Sequence, residues 1–304
     1  MDYESRIVQI KQNIVLHFSQ FGFGIQCDYA ICNRIQGTFP HYAEVDPARI
    51  SKIQCGGKIY INCHVPNIKE CIQTLHEILP PLHVHFYVMG EPTIPQWIVD
   101  SLRPHAISMY LQNNTYEDPI LHNLPIGIRD GEEVFPEHRH FTGRYILNEM
   151  RMFREKQYLC LLCFSYTHPE RRHCEDILGN AEFVMNLNRN PYFNGQPSFH
   201  CGKVPVWITY EYTHKSHYTL SPTGIGQATH RFFEAIALHS TPIVKRTHTP
   251  LDKLYEEYPC LVVEEWSEVT REYLESHLGE MQDKMAFFHL THPRFLTTPS
   301  LPCI

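Results

Sequence analysis

The stretch YTLSPTGIGQATHRFFEAIALHSTPIVKR, residues 218–246, holds a strand, a glycine turn, a charged helix and a second strand in one short unit. Tyr218 to Leu220 suit a strand, and Ser221 to Gly226 gather the turn formers. From Gln227 the apolar residues Ala228, Phe232, Ala235, Ile236 and Ala237 recur at spacings of three and four, which predicts a helix. Thr241 to Val244 form the short apolar run of a buried strand, so the unit has the βαβ pattern of a nucleotide-binding sheet. His230, Arg231 and Glu234 interrupt the apolar stripe near the helix start, where outward N–H groups and the macrodipole favour an anion such as a diphosphate. Gly224 and Gly226 lack the third glycine of a dinucleotide fingerprint, and the same turn also serves sheets that bind nothing. Arg231 and Glu234 share one helix face. A solvated ion pair would explain them, but they flank Phe232 and Phe233, and partly buried charge beside a glycine turn points to a site.

Working outward, the chain alternates strand and helix in two halves. In the first, Lys58 to Cys63, His83 to Met89 and Ala106 to Leu111 are expected strands. Ile68 to Leu79, with Ile68, Ile72, Leu75 and Ile78 on one face, and Ile94 to Leu102 are expected helices. That layout is a doubly wound parallel sheet, whose ligands sit beyond the carboxyl ends of the strands. Residues 1–57 carry a weaker pattern: Ile7 to Phe18 suits a helix or a strand, and HYAEVDPARISKIQCGG is rich in loop formers. A helix from Gly143 to Gln157 is expected to cross into the second half, placing the domains at 1–150 and 151–304. Tyr158 to Phe164 opens that half as a strand, followed by a helix from Glu170 to Leu178 with Arg171 and Arg172 at its start. Basic residues there oppose the macrodipole, which fits a nearby anion and fits a solvated helix start equally. Asn186 to Ser198 is expected to be a loop, Cys260 to Val263 a strand and Val269 to His289 a final helix.

Residues 218–246 resemble the donor-binding motif of the exostosin-like glycosyltransferases, through Ser221, Pro222, Gly224, His230, Arg231, Glu234, Pro242, Ile243 and Val244. Shorter pieces resemble the soluble microbial and large-DNA-virus members in the same order: VMGEPTIP from Val88, YLQNN from Tyr110, LPIGIRDG from Leu124, CFSYTHPERR from Cys163 and PCLVVEEWSEVT from Pro259. The resemblance covers about residues 58–280. It implies a GT-B architecture, two Rossmann-like domains facing a cleft, with the last helix packing back on the first domain. The implied activity is transfer of a sugar from a nucleotide diphosphate, UDP by default, to a glycan or glycoprotein acceptor, with inversion. Arg231 would neutralise the diphosphate and Glu234 would bond the donor ribose or sugar, with Ser221, Pro222, Gly224, Gly226, His230, Arg171 and Lys245 completing the donor site. Thr223, His239 and Ser240 depart from the usual pattern, which leaves the donor's identity open.

Composition narrows the classes. A chain of 304 residues with 43% hydrophobic content fills two cores, and a net charge of −7 with no basic run beyond two residues argues against nucleic acid. No apolar run reaches eighteen residues and the first thirteen residues carry early acids, so a soluble, cytoplasmic chain without a membrane anchor is expected. The 11 cysteines are odd in number and irregularly spaced, which favours reduced thiols. Cys160 and Cys163 lie in an apolar strand that places them on opposite faces, so small buried residues are expected rather than a redox pair. The 21 histidines show no metal spacing.

Sugar transfer with inversion needs a base for the acceptor hydroxyl and charge stabilisation for the leaving diphosphate. No Asp-x-Asp occurs, and Glu44-Val45-Asp46 before a proline suits a helix start, so metal-independent transfer is expected. Arg231, backbone N–H groups of residues 224–228 and Arg171 or Lys245 would take the cation's part. Glu91, favoured by the resemblance, and Asp130 are the candidate bases, with His64 third; ordinary loop acids are the alternative. Tyr192, Phe193, Trp207 and Tyr210 are candidates for stacking on a sugar or for core packing. Three other classes stay open. A binding module would keep the cradle without a base, a phosphotransferase would need a Gly-Lys-Ser/Thr loop, and an oxidoreductase would need the third glycine. The residues do not fix sugar, acceptor or oligomeric state.

Overall fold

Ile59 and Ile61, Phe86 and Val88, and Met109 and Leu111 alternate with residues of the opposite face, and this period of two builds the first sheet. The computed structural model describes residues 27–32, 45–90, 92–128, 155–189, 204 and 206–291, which fall into two compact units dividing between Ile126 and Gly127. That division lies upstream of the expected boundary. The segment Thr249–Leu251 also belongs to the first unit.

The first unit holds β1 (Tyr29–Ile31), β2 (Gly57–Asn62), β3 (Val84–Met89), β4 (Ala106–Leu111) and β5 (Leu121–Asn123), all parallel and in sequence order across the sheet. Its helices are α1 (Pro47–Ile50), α2 (Ile68–Ile78) and α3 (Gln96–Leu102). Asp46, expected at a helix start, caps α1 by accepting from Ala48 N and Arg49 N at 3.0 and 3.3 Å. An unreversed strand order joined by right-handed crossovers puts every connecting helix on one face. Ile50, Ile72, Leu75, Ile98, Val99 and Leu102 accordingly share one core with the inward residues of β2 to β4. The described part of this sheet is therefore wound in one direction, which differs from the doubly wound expectation. Its other face carries a cross-strand row, Ala30, Tyr60, Tyr87, Tyr110 and His122, with the Tyr87 and Tyr110 rings stacked at 4.7 Å.

The second unit contains β6 (Tyr158–Leu162), β7 (Val184–Asn186), β8 (Ser216–Leu220), β9 (Thr241–Lys245) and β10 (Leu261–Val263) in the order β10-β9-β8-β6-β7, all parallel. Here the order reverses between β6 and β8, so helices cover both faces. On one side α4 (Pro169–Leu178) and α8 (Arg271–Thr291) bury Cys174, Leu178, Leu274 and Met281 against Cys160, Leu162, Tyr218 and Ile243. On the other, α5 (Val206–His214) packs Ile208 against Leu161 and Cys163, and contacts α6 (His230–Ala237). The final helix thus belongs to the second unit's own core. Cys160 and Cys163 do fall on opposite faces, both as free thiols. No helix among the described residues is long and apolar enough to cross a membrane.

Three short elements escape the periodicity: β1, β5 and β7 are three residues each, too brief for alternation to register, and β7 ends at Asn186, where the expected loop begins. The helix α7 (Leu251–Glu256) and the helix α5 were also not foreseen. The expected crossing helix falls largely outside the described residues, and Glu155 to Gln157 are not helical. Instead Lys156 Nζ donates to the carbonyls of His214, Ser216 and His239 at 2.8, 3.0 and 2.6 Å, and burial lowers its pKa to about 7. That clamp joins the end of α5, the start of β8 and the end of α6. The end of α6 is a Schellman turn: His239 N donates to Ile236 O, Ser240 N donates to Ala235 O, and His239 takes a left-handed φ of 56°.

Candidate functional site

Beyond the carboxyl ends of β6 and β8 the second sheet changes direction, and a crevice is built there because adjacent crossovers leave on opposite faces. Two loops meet at this point, Cys163 to His168 after β6 and Ser221 to Thr229 after β8. The helix expected from Gln227 begins at His230, because Thr229 is held extended at φ −123° and ψ 152° as its N-cap. Ala228 is buried all the same, as a loop residue.

Arg171 ties the two loops together. Its Nη1 donates to Ser165 O at 2.8 Å, and its Nε donates to Thr223 O at 3.1 Å. The guanidinium lies so close to Gly224 that a Cβ there would fall on Arg171 Nη2 and press on Thr229. Gly224 thus leaves room for the arginine in this position and does not serve a left-handed backbone. Its N–H donates to Gly226 O at 3.0 Å, which corrects the expectation that this group faces a phosphate. Arg171 is a structural tie between loops, with carbonyls already answering its charge.

Arg231 differs. Its Nε and Nη1 are buried without a hydrogen-bond partner, and so are Ser221 Oγ and Thr229 Oγ1. Ser221 is 3% exposed and Thr229 8% exposed. Thr229 is an N-cap whose hydroxyl does not cap. Burial pushes the Cys163 thiol up, and the charge of Arg231 pulls it the other way, which places the guanidinium near the end of β6. Leaving a buried polar atom unsatisfied costs about 1–3 kcal/mol, so such a group is a considerable fraction of the ~5–15 kcal/mol that holds a domain folded.

Glu234 is 5% exposed and accepts from the Tyr210 hydroxyl at 2.8 Å. No ion pair joins it to Arg231, although helix spacing permits one. Tyr210, a stacking candidate in the sequence, is instead a 2% exposed anchor on α5 that fixes the carboxylate. His230 Nδ1 donates to Gly127 O at 2.8 Å, and Gly127 presents that carbonyl from a left-handed φ of 72°. Pro222 and Gly226 are buried in the wall of the loop.

Lys245 ends β9, the strand beside β8. It pairs with Glu265 at 2.8 Å, and that hydrogen bond raises its pKa. Its partner, Glu265, is a solvent-exposed carboxylate. Glu91, Asp130, Tyr192 and Phe193 lie outside the described residues. His64 follows β2 in the first unit, its N–H donating to Asn62 Oδ1 at 2.9 Å. Among the described residues no three histidine, cysteine or carboxylate side chains gather to hold a metal ion.

The structure thus brings Ser221, Gly224, Thr229, Arg171 and Arg231 to one end of the sheet, with Glu234 and His230 on the same short helix. Ser165 and Thr229 were not singled out in the sequence, and Thr223 was noted only as a departure from the family pattern. A Ser or Thr near a turn is too common for periodicity to mark, and only the reversal of strand order reveals that these residues face one another. No protein-family model matches the chain, and no curated protein sequence matches it.

Proposed function

We propose that this chain is a glycosyltransferase that moves a sugar from a nucleoside diphosphate sugar, UDP-linked by preference, to a hydroxyl of a glycan acceptor, with inversion and without a metal ion. One observation carries it: a guanidinium with two buried, unpartnered nitrogens shares the strand-order reversal with two buried, unpartnered hydroxyls, of Ser221 and Thr229. Water suffices for a hydroxyl, whereas a buried cationic donor is best answered by an anion rich in oxygen acceptors. A diphosphate supplies these, and its charge grows as the sugar leaves, so a fixed cation there favours the transition state over the ground state.

Glu234 fits the second half of the donor. A buried carboxylate held by one phenol keeps acceptor capacity for a sugar or ribose hydroxyl, and the Tyr210 bond fixes its direction. Inversion, the choice of UDP and the glycan acceptor rest on the exostosin-like resemblance.

Glu234→Gln keeps the volume and can still accept from Tyr210, so it separates charge from packing. With UDP-sugars the wild type is expected to release UDP and extend an acceptor glycan, and Glu234→Gln to lose about a hundredfold in rate, the scale of removing one oriented hydrogen-bonding group from an active site. Full activity in that variant, or failure of every common UDP- and GDP-sugar to raise the melting temperature of the wild type, would refute the assignment.

A further inference from the structure

Tyr166 stands in the loop that leaves β6 and is 46% exposed, yet its ring is held firmly. The hydroxyl donates to Glu175 Oε2. Glu175 lies on α4, is 3% exposed, and also accepts from Arg189 Nε at 2.8 Å and Asn186 Nδ2 at 3.3 Å. Burial pushes the Glu175 carboxyl up, but the hydrogen bonds from Tyr166, Asn186 and Arg189 outweigh it and hold the group below its usual range. Asn188 pins the adjoining backbone, accepting from Phe164 N at 3.3 Å and donating to Phe164 O at 2.9 Å. The Arg172 guanidinium covers the ring at 5.5 Å from its centroid.

An aromatic ring on the surface normally keeps rotational freedom that a ligand must remove. This one has already lost it. Five polar side chains, three of them from the β7 side, hold a flat apolar surface open to solvent, and core packing does not require that arrangement.

Its place in the sheet gives the surface a use. Ser165, the preceding residue, holds Arg171 against the Gly224 turn on the β8 side of β6. Tyr166 is braced toward the other neighbour, β7, through Asn186 and Arg189. In open α/β sheets a ligand lies across the crevice outside the carboxyl ends of the strands at the switch point, here between β8 and β6, so a nucleotide whose diphosphate sits at the β8 turn can reach the loop of β6. We infer that the Tyr166 ring stacks on the nucleobase of the bound nucleotide, with Arg172 backing the ring. This rests on the diphosphate reading of the cradle. Stacking by itself accepts any base, so Tyr166 supplies affinity for a nucleoside and leaves the choice of base to other groups.

The test is calorimetric titration of the full chain with UDP and, separately, with inorganic pyrophosphate, which has the anion and lacks the base. Tyr166→Ala is expected to weaken UDP at least about tenfold, the usual effect of losing one base–aromatic stack, and to leave pyrophosphate within about twofold. Tyr166→Phe keeps the ring and is expected to bind UDP within about threefold of wild type. Unchanged UDP affinity in Tyr166→Ala overturns the stacking role and leaves the diphosphate site standing. Equal losses for UDP and pyrophosphate also overturn it, since Tyr166 would then act through the Glu175 network on the cradle. Wild-type protein that binds neither ligand removes the diphosphate site and the stacking role together.

Discussion

The two sheets have the same number of strands and the same parallel sense, and they differ in one respect: the first runs in sequence order and the second reverses between β6 and β8. In the first, α1, α2 and α3 share one face, and the opposite face is filled across the strands by Tyr60, Tyr87 and Tyr110. In the second, helices lie on both faces and the loops of β6 and β8 diverge, which leaves polar groups of Ser221, Thr229 and Arg231 buried yet unanswered. Buried side-chain atoms without a partner occur in the first unit too, Gln112 Nε2 and Asn123 Oδ1 at the carboxyl ends of β4 and β5, so what marks the second is a guanidinium with two such nitrogens at the strand-order reversal. Strand order sets where the loops diverge, and Arg231 supplies the charge there.

The comparison is sharpest at the reversal. Arg231→Met should weaken inorganic pyrophosphate by about a hundredfold while leaving the melting temperature equal or higher, since the lost group has two buried nitrogens with no partner in the protein. A large drop in melting temperature with unchanged pyrophosphate affinity would make Arg231 an ordinary structural residue.

Next in size is a change at the opposite end of the second sheet. Lys156→Met should lower the stability of the second unit by about 2 kcal/mol, because it strands three carbonyls that Nζ now satisfies, a loss partly offset by relief of the burial that lowers the lysine's pKa to about 7. Urea unfolding followed separately for the two units checks this; equal loss in both would mean that the clamp is not local to one sheet.

A comparable effect concerns pH. Burial pulls His239 down to about 3, with His289, Lys156 and His214 adding repulsion, and burial also lowers His289. The folded state thus keeps His239 neutral while the unfolded chain takes up a proton below about 6.5, so the unfolded state binds more protons and stability falls as pH drops from about 6.5 toward 3. Between pH 7 and pH 5 the loss from this residue should be about 2 kcal/mol, seen as a lower urea midpoint for the second unit. His239→Gly should remove that loss and suit the left-handed φ of 56° as well.

The smallest effect is a control in the first unit. Leu82 is exposed and has a positive φ of 45°, so Leu82→Gly should raise the stability of that unit by about 1 kcal/mol or less, without changing pyrophosphate affinity. A change in that affinity would show that the first unit shapes the anion site.

Long periodic segments were legible in the sequence. The spacing of Ile68, Ile72 and Leu75 predicts α2 to within a residue at its end, and Ala106–Leu111 matches β4 at both ends. The start of α6 was not, since Ala228 fits a helical stripe whether it lies in a helix or in a buried loop; Thr229 in its extended conformation decides between them. For the site, the sequence singled out Arg231, Glu234, Ser221 and Gly224, but with different reasons. Glycine at 224 admits Arg171, Glu234 meets Tyr210 and not Arg231, and Lys245 is already paired.

The order of apolar and turn-forming residues by itself determined that this is an α/β chain with two parallel sheets, because period and local turn chemistry act over a few neighbours. Which strands lie side by side, and hence which polar atoms are left facing one another without partners, was decided only in the tertiary structure. The Arg231 guanidinium acts on the Cys163 thiol from 68 positions away in the chain, and no local pattern encodes an encounter of that range.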